Sequence, residues 1–454
     1  MSKIGTTVAG TAGAARPGTT AINLPPGPRL PKPLQGLWFA TARRSMATYM
    51  WKRYGDVFTA NVPLFGRTVM VADPRLAKEL WAAGYDDIGN NQPNLSRLIG
   101  PGSLFGLEGA QHRARRKLLT PPFHGKSVQN YERIFEEETL REAAYWPEGE
   151  PFESAESLMR ITLNVMLRAV FGADGEQFDE LRRIMPDWVM LGCRLTVLPK
   201  PSRTLGRRSP WGRLAQYRAQ FDVVVNQLID NATADPDFES RTDILSLLLN
   251  STYDDGSAMS RSDIADELLT LLAAGHETTA TTLAWTLERI SRHPQVLARL
   301  QDEVVAGGGE YRRATCMEVQ RTRPIIDLAG RHVYASAFPL GPWVIPAGSS
   351  VVVAIDRMHE RPDEFEDPHR FDPQRFIGGR PPAAFMPFGG GLRRCAGAAF
   401  AAVEMDVILR TILRHFEIEP TDAPAEKIRS RGIANTPKNG ARVTVRRRAT
   451  PLGG

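Results

Sequence analysis

Cysteine is scarce in this chain of 454 residues: Cys193, Cys316 and Cys395 are the whole complement, odd in number and far apart. That argues against a disulfide framework, and three thiolates are too few for a four-cysteine zinc or iron–sulfur site. If sulfur binds a metal here, one thiolate does it. Long apolar runs are missing as well. No stretch approaches the roughly eighteen consecutive apolar residues that a membrane-spanning helix needs. The opening MSKIGTTVAGTAGAARPGTTAINLPPGPRLP lacks the continuous apolar core of a secretory signal. Its Ala, Gly and Thr bias reads as a disordered lead-in over residues 1–23, ahead of a folded unit spanning 24–454. A cytoplasmic protein without a transmembrane anchor is the expectation. Nor is there a large excess of one charge: 57 Lys+Arg against 51 Asp+Glu leave +6. Positive charge spread along the chain reads as solvated surface, or as a docking face for an acidic protein partner. No nucleic-acid-binding motif and no flavin or nicotinamide fingerprint occurs.

What is present suits one large core. Apolar residues make up 42% of the chain, with no internal repeat and no interior linker able to separate domains. The proline-studded LPPGPRLPKPLQGL, Leu24 to Leu37, is expected to be extended. A helix through Tyr49 and Trp51 follows, then a hairpin around Gly66. From Pro74 to about Gly307 helical periodicity dominates. The longest helix opens at Ser260-Arg-Ser-Asp263, a capping-box-like start, and runs to Pro294, roughly 45 Å at about 1.5 Å per residue. Beyond Gly341 the pattern turns to strands and to a long irregular segment rich in Pro, Gly and aromatics, of the kind usually kept for function. A helix after Cys395 and a terminal hairpin region, RGIANTPKNGARVTVRRR, close the fold. The expected class is a single domain, mainly α with a small β part.

The stretch FGGGLRRCAGAAFAAVEMD concentrates the chemistry. Gly389, Gly390 and Gly391 permit tight turning or close approach to a flat object, with Arg393 and Arg394 alongside. Cys395 falls near a helix N-terminus, where free amides and the helix dipole favour an anion, so a thiolate is expected. A thiolate can attack an electrophile or ligate a metal, and a packed structural cysteine is the plain alternative. Nucleophilic catalysis wants a nearby oriented base, and nothing local provides one. Ligation of haem accounts for more: backbone approach to one face, amides to tune the sulfur, arginines for the propionates.

Phe388-x-x-Gly391-x-Arg393-x-Cys395-x-Gly397, with Ala401 and Glu404 following, resembles the haem-binding signature of the cytochromes P450 at each fixed position. The resemblance implies a cytochrome P450 fold, with haem b between the long central helix and the helix after the cysteine loop, and Cys395 as the axial thiolate. Three further segments match the family in order. Ala274-Gly275-His276-Glu277-Thr278-Thr279, midway along the long helix, looks like its oxygen-binding groove: Ala274 and Gly275 would let a flat ligand lie close where the helix can loosen. There Thr278 would hydrogen-bond dioxygen and Glu277 would help relay protons. Read alone, an acid beside a threonine is ordinary. Glu318-Val-Gln-Arg321 is similar to the family's E-x-x-R helix, which with Arg375 would form a buried structural triad rather than a surface pair contributing a few tenths of a kcal/mol. His112 and Arg116, one helical turn apart, match the H-x-x-x-R pair used on a haem propionate, joined by Arg393 and Arg331. One departure is the short, glycine-rich passage VVAGGGEYRRATCMEVQRTRPII, where the family usually has a longer helical run. Cys316 within it reads as a small buried residue.

The function so implied is that of a haem-thiolate monooxygenase inserting one atom of O2 into a lipophilic substrate. Electrons would come from NAD(P)H only through a ferredoxin and its ferredoxin reductase, and the chain would be a monomer. By family analogy, specificity would lie in NNQPNLSRLIGPGSLFG, LGCRLTVLPKPSRTLG, Ile325, Ile326 and the turn near Ile433. Two rivals are a peroxide-driven haem-thiolate enzyme, disfavoured by the Glu277-Thr278 pair, and a non-catalytic haem sensor or ligand-sequestering protein.

Overall fold

The structure, a computed structural model, describes residues 21–453 apart from 64, 92–94, 173–176, 197, 199–200 and 202–205. Most of the expected lead-in, and parts of two expected specificity segments, lie outside the described residues. In chain order the elements begin with α1 (Lys32–Tyr54), the hairpin β1 (Val57–Val62) and β2 (Gly66–Val71), α2 (Pro74–Ala82), β3 (Ile88–Asn90), α3 (Ser96–Ile99) and α4 (Gly109–Leu119). Next come α5 (Lys126–Gln129), α6 (Glu132–Ala143), β4 (Phe152–Glu153), α7 (Ser154–Phe171), α8 (Gln177–Thr196), α9 (Pro210–Ala234), α10 (Ile244–Leu249) and the long α11 (Arg261–Ser291). After α12 (Pro294–Val305) and α13 (Glu310–Thr322) follow β5 (Leu328–Val333), β6 (Ala337–Leu340), β7 (Trp343–Pro346), β8 (Ser350–Ala354) and α14 (Ile355–His359). The chain ends with α15 (Ala398–His415), β9 (Phe416–Ile418), β10 (Ile428–Arg431), β11 (Ala434–Pro437), β12 (Arg442–Val443) and β13 (Val445–Arg447).

Local chemistry places the helix starts. The Ser260 hydroxyl accepts the Asp263 N–H at the head of α11, Asp73 accepts from Arg75 and Leu76 before Pro74 opens α2, and Ser209 caps α9 before Pro210. At 31 residues α11 spans about 46 Å, and most of its residues are buried because neighbours cover it on several sides. It lies closest to α7: a side chain on Gly275 would meet the Met166 sulfur at 2.8 Å, so the bare glycine lets the two helices approach. Opposite, α15 buries Phe400 edge-on against Phe123, Tyr131 and Phe135, with ring centroids 5.2–5.7 Å apart. The larger sheet, ordered β1-β2-β8-β5-β3, carries the β1–β2 hairpin on one flank and pairs β2 parallel to β8.

Two expectations need correction. The proline-rich segment is extended only to Pro31; α1 begins at Lys32 because Pro33 sits in its first turn, where no helical N–H is missed. The C-terminal region is not one hairpin. β11 pairs with β10, but β12 pairs with β4 and β13 with β9, so these strands bind distant parts of the chain. The glycine-rich passage before Glu318 is ordered as two helices, α12 and α13, joined by 306–309. There the Glu303 carboxylate accepts the Tyr311 and Arg312 N–H groups at 2.6 and 2.9 Å, substituting for a local cap.

Candidate active site

The cysteine loop opens on a tight turn and is closed by a backbone bond across seven residues. Gly389 N–H donates to Met386 O at 3.0 Å and Cys395 N–H to Phe388 O at 3.1 Å, with Gly389 and Gly391 both at φ +63°. Gly391 needs its bareness twice over, since a Cβ would also lie 2.2 Å from the Trp81 carbonyl on α2. Gly397 is different: its φ is −87° and a Cβ there would meet nothing within 4 Å. Neither conformation nor packing accounts for that glycine, which leaves open space beside Cys395.

Cys395 is solvent-accessible yet surrounded by protein. Burial pushes its thiol pKa up, against a hydrogen bond from Gly397 N–H and the nearby Arg116 and Arg394 charges, which pull it down. The thiolate expected from the helix terminus is thus not held by the protein alone: α15 begins only at Ala398, and desolvation outweighs its dipole. A metal cation at the sulfur would supply the missing stabilisation.

Around this loop positive charge accumulates. His112, on α4, is buried, with Nδ1 2.8 Å from the Tyr85 hydroxyl. Burial first, then the Arg393, Arg116 and Arg331 charges, hold its pKa down at about 3, so it is neutral at pH 7 rather than a second cation beside Arg116. Arg116 is half-buried, desolvated and close to Cys395, and its side chain has no hydrogen-bond or ion-pair partner among the described residues. Arg393 donates to Leu104 O at 2.9 Å, to Leu107 O at 2.5 Å and to the Glu108 carboxylate at 2.7 Å. Arg331 is buried on β5, donates to Gly390 O at 3.0 Å and lies 4.5 Å above the Trp81 ring. Burial and Arg393 push its pKa down to about 10. Three guanidiniums thus act on one histidine, with Glu108 the acid that pairs with Arg393.

On α11 the groove residues divide by direction. Ala274 is exposed, whereas Gly275 turns toward Met166, so a flat ligand would meet Ala274 and the absent side chain of Gly275 serves helix packing. The helix does not loosen here: it is continuous, and the Thr278 hydroxyl donates to Ala274 O at 2.8 Å. Glu277 is buried, which pushes its carboxyl pKa up against the opposing Arg431 charge. Glu404, on α15, is fully buried and pushed up to about 8. Neither of its oxygens meets a hydrogen-bond partner among the described residues, although the Thr279 hydroxyl is close enough to favour the charged form.

Beneath the loop, Glu318 and Arg321 form a two-bonded pair, 2.7 Å at each contact, with both side chains at most 1% exposed. Arg321 also donates to the carbonyls of His359, Pro368 and Arg370, and Glu318 accepts the Asp372 N–H at 2.9 Å. Arg375 joins at 3.5 Å from Glu318, in ion-pair range without a hydrogen bond, and uses its other nitrogens on the carbonyls of Glu366, Asp367 and Arg370. Of the expected specificity residues, Ile325 packs into a cluster with Trp285, Val319 and Ala434, while Ile326 and Ile433 are only partly buried.

Several contributors have no sequence motif. Glu108 and Tyr85, the partners of Arg393 and His112, are visible only once the chain is folded. The same holds for Arg115, which bonds Glu267 at 2.9 Å and Asp263 at 3.1 Å and fixes α4 to the first turns of α11.

Comparison with known proteins shows the family. The cytochrome P450 family profile matches residues 25–443. A Mycobacterium tuberculosis protein with the provisional name cytochrome P450 138 is 58% identical over 435 residues, covering 96% of this chain and 99% of its own. Another from that organism, provisionally cytochrome P450 135B1, is 38% identical over 94% of this chain and 93% of its own. Among solved structures, retinoic acid bound cyanobacterial CYP120A1 superposes with a TM-score of 0.83 at 23% identity, covering 94% of this chain and 100% of that one. The cytochrome P450DA heme domain gives 0.75 at 22%, covering 94% and 96%.

Proposed function

The chain belongs to the cytochrome P450 family of haem-thiolate monooxygenases, and from that premise we propose that it inserts one atom of O2 into a lipophilic organic substrate, with electrons from a ferredoxin and its reductase. The carrying observation is the open space at Gly397 beside an accessible Cys395 sulfur, ringed by an excess of arginine. These residues fit haem: Cys395 would ligate iron, Arg116, Arg331 and Arg393 would hold the carboxylates, and Ala274 would face the ring. When bound, haem supplies dioxygen activation and oxygen insertion, helped by electron donation from a thiolate.

The chain's own groups do the rest. Desolvation keeps Glu277 inclined to hold its proton, which makes its carboxyl a proton store beside the groove. Thr278 can release its hydroxyl hydrogen from Ala274 O to a bound ligand and accept another through the same oxygen. His112 is neutral, so it donates or accepts a hydrogen bond without adding charge. Exposed Arg394 offers a basic group near Cys395 to an acidic ferredoxin. Leu104, Ile326 and Ile433 are half-buried apolar candidates for substrate contact, consistent with a lipophilic ligand.

The test is spectroscopic, then kinetic. Dithionite-reduced holoprotein exposed to CO should show the long-wavelength Soret band of thiolate ligation, and its absence would refute the reading. Turnover of a substrate that shifts the haem spin state should be faster with ferredoxin, reductase and NADPH than with hydrogen peroxide. The reverse order would favour a peroxide-driven enzyme.

A further inference from the structure

We propose that His359 is a positioning residue that carries the order of the buried Glu318–Arg321 pair to the cysteine loop through a single neutral tautomer of its ring. The proposal rests on the reading of Cys395 as the iron ligand. His359 ends α14 and is fully buried. Its backbone carbonyl accepts Arg321 Nη1 at 2.9 Å, and its Nδ1 lies 3.2 Å from the Arg321 carbonyl. A carbonyl only accepts, so Nδ1 carries the hydrogen. On the other edge Nε2 lies 3.2 Å from the Met386 amide nitrogen. An amide N–H only donates, so Nε2 is the bare acceptor. The two contacts together specify one tautomer, and a second proton would set N–H against N–H. Burial acts in the same sense, holding the ring's pKa down at about 3.

The ring is also fixed in plane, stacked on Phe385 at 5.4 Å and 25°, with Phe385 in turn against Phe376 at 4.7 Å. Met386 is where the loop begins. Its carbonyl accepts Gly389 N–H, its sulfur accepts Trp81 Nε1 at 3.4 Å, and two residues later Phe388 O accepts Cys395 N–H. The chain of contacts therefore runs from Glu318 through Arg321, His359 and Met386 to the backbone of Cys395, with the imidazole as its one side-chain link between the α13 ion pair and the loop.

The two bonds separate by substitution in the holoprotein. His359→Gln can place an acceptor where Nε2 was and retain the Met386 bond; His359→Asn can place a donor where Nδ1 was and retain the Arg321 bond. His359→Asn should speed amide exchange across 386–395 by about tenfold, the scale of one lost buried hydrogen bond. It should also move the ferrous–CO band from the long-wavelength thiolate position to a shorter wavelength. His359→Gln, which keeps the Met386 bond and the backbone bond from Arg321 Nη1, should change both in the same direction but by less. Loss in Gln but not Asn, equal loss in both with a parallel drop in Tm, or no change in either would overturn the proposal. Absence of a thiolate band in the wild type would refute the haem reading instead, leaving exchange across 386–395 to decide the role of His359.

Discussion

Arg393 and Glu108 lie 2.7 Å apart and join the cysteine loop to the residue that immediately precedes α4. The carboxylate is itself anchored, accepting Asn90 N–H from β3 at 2.9 Å, so three segments distant in the chain meet at one ion pair. The pair is partly solvent-exposed. Glu108→Gln should therefore cost only about 1 kcal/mol of unfolding free energy in urea, while lowering haem retention on dilution, because Arg393 loses the group that aims it.

Two glycines of the loop should respond in opposite ways. Gly391→Ala puts a Cβ at positive φ and 2.2 Å from the Trp81 carbonyl, and is expected to destabilise the fold by about 1–3 kcal/mol. Gly397→Leu points into open space. It should leave the melting temperature of haem-free protein nearly unchanged and abolish the thiolate-type ferrous–CO band.

The Glu318–Arg321 pair is sealed from solvent, so removing one partner strands a buried charge. Glu318→Leu or Arg321→Met alone should cost about 3–5 kcal/mol in denaturant unfolding, and the double variant distinctly less than the sum. Strict additivity would show that the pair does not act as a unit.

Glu404 predicts a pH dependence of stability. Its carboxyl is raised from 4.5 to about 8 in the folded chain, so between those values the folded state holds a proton that the unfolded state gives up. Stability is complete below the unfolded pKa and is lost as pH rises through about 8. Glu404→Gln should flatten this decline, making the variant more stable than wild type above about pH 8 and not below about pH 5. Chemical denaturation across that range measures it.

At the groove, Thr278→Ala and Glu277→Gln should leave the substrate-induced spin shift in place. Product formed per NADPH consumed should fall by about a hundredfold, the scale of a positioned proton donor. Unchanged coupling in both would remove these residues from the proton path.

The register of the local devices is legible in the chain before it folds. The cap at Ser260, the length of α11, the hairpin at Gly66 and the spacing around Cys395 depend on neighbours a few residues apart, so their physics is written in short stretches. The partners of those devices are another matter. Glu108 for Arg393, Tyr85 for His112, His359 for Arg321 and Met386, and the pairing of β12 with β4 all join residues far apart in the chain, and no local period encodes them. Direction and charge state were decided there too. Only the packing of α7 turns Gly275 away from the groove, only burial and the gathered arginines make His112 neutral, and only the crowding around Cys395 raises a thiol that its helix terminus would have lowered. Each is a property of desolvation and contact, which exist once the tertiary structure has closed around the residue.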